Sequence, residues 1–354
     1  MGDMASFLYG ENLSITAFRQ QSPQRKSSML GAICFSAESD ANALMQAEID
    51  APCIHVPMRR LGSSDILCEV WQGGEHLQQG QLGDIHYRQD NAVVFGVLQL
   101  PEAAFATDSG KTPLQQATES AYQQIFALLD TLNYPYLLRF WNYIADINGY
   151  SHELERYRQF NLGRQDAFLT YGRDITGNVP AACALGSTHG PLNIAFLAGR
   201  VAPLAIENPR QISACQYPQQ YGPRSPVFAR ASLADMGQSE VLFISGTASI
   251  VGHATLHPDD VVAQTHETMT NIEAVLAEAN RVTQQSKFFL ADLYYRIYVR
   301  HPADLPQIQA VLTQRVGMSL KAVYLQADVC RQDLLLEIEA TAGYPLLTLS
   351  GSQG

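Results

Sequence analysis

SEVLFISGTASIVG (239–252), DDVVAQTHETMTNIEAVLAEA (259–279) and FFLADLYYRIYVRHPADLPQIQAVLTQRVG (288–317) decide how this chain folds. The first is an apolar strand with a Ser245-Gly246-Thr247 turn. In the second, Met269, Ile272, Val275, Leu276 and Ala279 recur at helical spacing and form one apolar stripe. The third supplies a further strand and a further helix, after which KAVYLQADVC (321–330) and DLLLEIEATA (333–342) return as strands. The same plan occurs upstream. NAVVFGVLQLPEA (91–103) leads to LQQATESAYQQIFALLDTL (114–132), where Ala121, Ile125, Leu128, Leu129 and Leu132 share a face. LLRFWNYIADI (137–147) reads as a strand from its aromatic and β-branched content, and SHELERYRQFNLGRQDAF (151–168) as a polar helix capped by Ser151. ACALGSTHGPLNIAFLAG (182–199) and PLAIENP (203–209) complete the copy as strands.

Two copies of one block order are a repeat. The order β-β-α-β-α-β within each predicts an α+β fold of mixed sheets with helices on one face. The expected boundaries are a central domain at 75–215 and a C-terminal domain at 216–354. Residues 1–74 contain the strand-like LGAICFSAE and SSDILCEVW but no good pair of long helices, so they read as a shortened third unit.

With 354 residues and 46% apolar composition the chain can bury several cores. A net charge of -11 repels phosphate backbones and anionic bilayers, so neither nucleic acid nor membrane is an expected partner. The start of the chain shows no basic stretch followed by an apolar one, and nowhere do 18 apolar residues run together. Six cysteines without CxxC spacing suggest a reducing, cytoplasmic setting. His253, His257 and His266 lack metal-ligand spacing, and no GxGxxG, GxxxxGK[ST] or GxSxG occurs. Neither a metal nor a cofactor is expected.

On the last strand Leu334, Leu336, Ile338 and Ala340 alternate with Leu335, Glu337, Glu339 and Thr341. The even set faces the core, and both carboxylates share the other face, which is either solvent or a cleft. In a cleft, desolvation and a like charge two residues away would raise a carboxyl pKa towards neutrality and leave a proton donor at pH 7. Cys330 lies beside Arg331, a cation that could lower a thiol pKa, although most cysteines at strand ends are apolar filler.

YGPRSPVFARA (221–231), LFISGTASI (242–250), VVAQTHETMTNIEAVLAEA (261–279) and LLLEIEATA (334–342) together resemble the RidA-like (YjgF) superfamily, with its chorismate-mutase-like fold. The whole chain is more similar to the chorismatases, which fuse RidA-like units with pseudo-threefold symmetry. RFWNYIADIN (139–148), ERYRQFNLGRQDAF (155–168), ISACQYPQQYGPRSPVFARASL (212–233), the Ser245-Gly246-Thr247 turn, and Cys330 with Glu337 carry that likeness.

The resemblance implies a cofactor-free enzyme that cleaves chorismate in a cleft between the central and C-terminal domains. Glu337 stands where the family's proton-donating glutamate does. Cys330 and Gly246 look like the branch that forms 3-hydroxybenzoate, with or without the 4-isomer. Chorismate is a dianion, so guanidinium clamps are expected. Arg158 and Arg164, with Arg156, lie on or just after one helix; Arg224 sits in a rigid Gly-Pro-Arg-Ser-Pro loop flanked by Tyr217 and Tyr221. The alternatives are a hydrolase that stops at the dihydroxycyclohexadiene acid, or a RidA-like imine deaminase. Ala322 stands where the deaminases carry a carboxylate-binding arginine. A single chain holding all the units is expected to act as a monomer.

Overall fold

The computed structural model describes residues 8–37, 49–74, 76–106, 110–177, 179–237 and 240–343. The first seven residues, part of the start read for an export signal, and Ser239 at the head of the quoted strand lie outside them. The architecture is the α+β one that the repeat predicts, with three related sheets.

The N-terminal sheet contains β1 (Tyr9–Ser14), β2 (Met29–Ser36), β3 (Cys53–Pro57) and β4 (Leu67–Gln72) in the order β1-β4-β2-β3. Between β1 and β2 there are only two short helices, α1 (Ile15–Arg19) and α2 (Pro23–Ser27). The central sheet contains β5 (Gln78–Leu82), β6 (Ile85–Gln89), β7 (Val93–Leu100), β8 (Tyr136–Ala145), β11 (Ala181–Ser187) and β12 (Leu192–Gly199), with helices α3 (Pro113–Leu132) and α4 (Arg156–Thr170). A small hairpin, β9 (Tyr150–Ser151) and β10 (Leu154–Glu155), precedes α4. The C-terminal sheet contains β13 (Leu204–Ile206), β14 (Ala231–Asp235), β15 (Glu240–Thr247), β18 (Tyr294–Val299), β19 (Lys321–Gln326) and β20 (Leu336–Ala342), with helices α5 (Val261–Thr283) and α6 (Leu305–Val316). A second small hairpin joins β16 (Ile250–Val251) to β17 (Ala254–Thr255).

Each sheet ends in a parallel pair followed by an antiparallel strand: β3 with β2 then β4, β11 with β8 then β12, and β19 with β18 then β20. This shared edge is the repeat in three dimensions, and it includes the shortened N-terminal unit. Two expectations change. Strand β13 pairs with β14, so the sheet boundary falls between Gly199 and Leu204 rather than near 215. Ser151 does not cap α4; the turn at His152 and Glu153, both at positive φ (52° and 61°), closes the β9–β10 hairpin and delays the helix to Arg156.

Helices α3 and α4 cover one face of the central sheet, and α5 and α6 cover one face of the C-terminal sheet. The other faces of all three sheets meet in a shared interior. Trp71, Trp141 and Phe243, one from each sheet, pack there, with Trp71 ring centroids 5.5 Å from Trp141 and 5.7 Å from Phe243. Four charges cross the same interior. Arg296 bonds both Glu69 and Glu339, with 2.8 Å to Glu339, and Arg139 bonds Glu339 from the opposite side. Tyr298 donates a third hydrogen bond to Glu339 at 3.0 Å. A buried charge is tolerable only when paired and hydrogen-bonded, so the three sheets must dock in this one arrangement.

Candidate active site

A cleft of about 520 Å³ opens between the central and C-terminal units, within the range typical of small-molecule sites. Its floor is β20. From Leu336 onward the strand alternates as expected: Leu336, Ile338 and Ala340 pack under α5 and α6, and Glu337 and Glu339 turn to the shared interior. Leu334 and Leu335 precede the strand, and Leu335 joins the helical layer, so the alternation breaks there.

Glu337 is only 4% exposed and reaches the cleft through its carboxyl tip. Among the described residues no arginine or lysine pairs with it; Arg139, the cation whose charge acts on it, is bound to Glu339. Burial pushes its pKa up to about 8, the charge of Glu339 adds to this, and Arg139 opposes it. The group therefore carries a proton at neutral pH.

Space for that carboxyl comes from Gly246. The β15–β20 ladder shifts register between Ile244 and Thr247, so Ser245 and Gly246 leave it as a bulge. Ser245 fixes the bulge, accepting from the Ala182 N–H at 2.9 Å and donating to the Ala229 carbonyl at 2.6 Å. A Cβ on Gly246 would stand 1.8 Å from Glu337 Oε1. The space at Gly246 is thus taken by the acid itself.

Cys330 also lines the cleft, with Sγ 4.0 Å from Glu337 Oε2. Burial pushes its thiol up to about 12, Glu337 adds to this, and Arg331 opposes it without winning. The expectation of a thiol activated by Arg331 is overturned: the group stays protonated, as a hydrogen-bond donor.

The other sequence candidates divide. Tyr217, Tyr221 and Arg158 line the cleft; Arg158 is held by Glu155 at 3.0 Å at the end of the hairpin. Arg224 does not: its side chain is 45% exposed and faces Asp166 at 3.9 Å, because the rigid loop aims it outward. Arg164 is 2% exposed and lies beneath the site, bonding Asn161 at 2.8 Å and stacking on Phe160. Arg156 is committed to Glu102 and the Ala145 carbonyl.

Two arginines that the sequence did not mark as carboxylate clamps, Arg230 and Arg331, line the cleft instead. Arg230, 6% exposed, bonds the Tyr217 hydroxyl at 2.9 Å and the Ile212 carbonyl at 2.8 Å, while its buried Nε has no partner. Arg331 lies over Tyr221 at 4.0 Å and Tyr217 at 5.3 Å and bonds the His253 carbonyl. The signal for Arg230 was its place nine residues past Tyr221 at the head of β14, where a side chain can face the cleft.

Fold and site together define an enzyme of three related α+β units with a buried acid at one interface between them. The chain belongs to the chorismatase family. The family model described as "Chorismatase FkbO/Hyg5-like, N-terminal" matches residues 69–198. A chorismatase from Streptomyces hygroscopicus is 36% identical over 77% of this chain and 78% of its own length. A 3-hydroxybenzoate synthase from the same organism is 35% identical over 78% of this chain and 82% of its own. A crystal structure of a chorismatase superposes with a TM-score of 0.82 at 30% identity, covering 96% of this chain and all of that one.

Gly246→Ala should displace the Glu337 carboxyl and lower kcat at least about tenfold with folding preserved, since misplacing a reacting group by an ångström is that costly. Wild-type turnover in a folded variant would show that the acid does not need this position.

Proposed function

We propose that the protein cleaves chorismate to pyruvate and a hydroxybenzoate, mainly 3-hydroxybenzoate, with or without the 4-isomer. The observation that carries this is a protonated, unpaired Glu337 at the floor of a cleft whose walls hold Arg158, Arg230 and Arg331. The names of the two Streptomyces relatives support the substrate and the product.

The substrate's two carboxylates suit the arginines that line the cleft. Glu337 gives its proton to the enol-ether methylene, producing an oxocarbenium ion. Water attacks, pyruvate leaves, and the proton released by water returns to Glu337. Stopping there gives the dihydroxycyclohexadiene acid. Loss of one water from that acid makes the ring aromatic, so that no water is consumed overall; the Cys330 thiol, 4.0 Å from Glu337, is placed to donate to the departing hydroxyl, and the ring proton released on aromatisation restores the thiol. The imine deaminase reading gains nothing: Ala322, where that activity needs an arginine, packs against the helical layer. One chain carries all three units, so we propose that it works as a monomer, in contact with neither nucleic acid nor membrane; equilibrium sedimentation tests the first point. Among the described residues no helix is long and apolar enough to cross a membrane.

Glu337→Gln should lower kcat/KM for pyruvate release at least about a hundredfold, the usual worth of a general acid. In the wild type kcat/KM should fall as pH rises through about 8, because only the protonated carboxyl can donate. A variant that keeps a tenth of the activity removes Glu337 from the role. Arg230→Ala should raise KM strongly and Arg224→Ala should leave it unchanged; the reverse pattern would return the carboxylate contact to the surface loop. Cys330→Ala should keep pyruvate formation within about tenfold of wild type. It should also shift the organic product towards the non-aromatic acid, as read by chromatography; an unchanged aromatic fraction makes the cysteine packing.

A further inference from the structure

Among the described residues the N-terminal unit puts no side chain into the cleft, yet one of its carboxylates reaches the charges that surround the acid. We propose that Glu69 is a positioning residue for Glu337: by holding Arg296 it completes a balanced chain of four charges and keeps Arg139 bound to Glu339. This rests on the reading of Glu337 as the acid.

The chain runs Glu69, Arg296, Glu339, Arg139, with strands β4, β18, β20 and β8 each supplying one member. Two carboxylates and two guanidiniums cancel, so the shared interior presents Glu337 with no net positive charge. Burial raises the Glu69 pKa, and the charge of Arg296 opposes that rise. Glu11, beside Glu69 in the same small cavity, is itself bound by Arg25 at 2.9 Å.

Among the described residues Glu155, Arg158, Arg230, Arg331 and Asp333 line the same cleft as Glu337, and a second set of groups packs around its buried side. Glu339 lies on its own strand, Tyr298 on β18, Arg139 on β8, Cys183 on β11, Tyr157 on α4 and Cys330 on the loop before β20; β15 presents only Gly246. Arg139 is the one cation in that set. Burial works against its charge, and Glu339 together with Cys183, Tyr298 and Glu69 more than offsets the penalty. Without Glu69, Arg296 has only Glu339 to turn to, and the two arginines share one carboxylate. The interior then holds one positive charge in excess, which favours the ionised form of Glu337. Across about 10 Å at an effective dielectric of about 20 the effect is on the order of one pH unit.

The experiment is the pH dependence of kcat/KM for Glu69→Gln, Glu69→Asp and Arg296→Gln beside the wild type. Glu69→Gln should move the basic limb down from about 8 by about half to one unit, so that activity falls more at pH 8 than at pH 6. Glu69→Asp keeps the charge and should keep the limb. Arg296→Gln makes the opposite charge change and should raise it, and it carries the test if Glu69→Gln does not fold. A wild-type limb near 8 that stays put in the folded charge variants overturns the role of Glu69 and leaves the acid standing. A wild type with no such limb overturns the acid itself.

Discussion

Among the described residues three carboxyls and two guanidiniums share the interior where the three sheets meet, and only four of the five are paired. Glu69, Arg296, Glu339 and Arg139 satisfy one another. Glu337, the fifth, is left with a like charge two residues away and an arginine already bound elsewhere. Low dielectric makes this imbalance decisive, because an unpaired buried carboxylate is far more costly than a carboxylic acid. The protein keeps a proton at the cleft floor by withholding a cation from it.

The rest of the site follows from that constraint. The proton must meet a substrate, so β20 has to run under a cleft, and beside it the edge of the central unit, β11, packs against β15. The carboxyl needs volume, which the bulge at Ser245 and Gly246 supplies. A dianionic substrate needs cations that do not themselves neutralise the acid. In the proposed reading Arg230 and Arg331 supply them, stacking on and bonding to Tyr217 and Tyr221.

What could be read from the sequence was local in character. The helical stripes of α3 and α5 and the alternation of β20 are periodicities within one element, and they located the units, the helical layers and the shared face of Glu337 and Glu339. Whether that face was wet or buried depended on partners far away in the chain. Arg139 lies 200 residues from Glu339, and Glu69 lies 227 from Arg296. The same limit explains the arginines. Arg224 has the more suggestive loop, but the direction of a side chain on a rigid turn is set by backbone geometry that composition does not encode. The β9–β10 hairpin was hidden because positive φ at His152 and Glu153 has no signature as strong as glycine. Strand β13 was assigned to the wrong sheet because three residues carry too little pattern to name their partner.

The central claim is that Glu337 is a carboxylic acid, not a carboxylate, in the resting protein at neutral pH. Infrared difference spectra between the wild type and Glu337→Gln, collected across a pH series, test it without substrate. A protonated carboxyl C=O band is expected at pH 7, giving way to carboxylate bands with a midpoint near 8. Carboxylate bands alone at pH 7, with no C=O band lost on substitution, would contradict it.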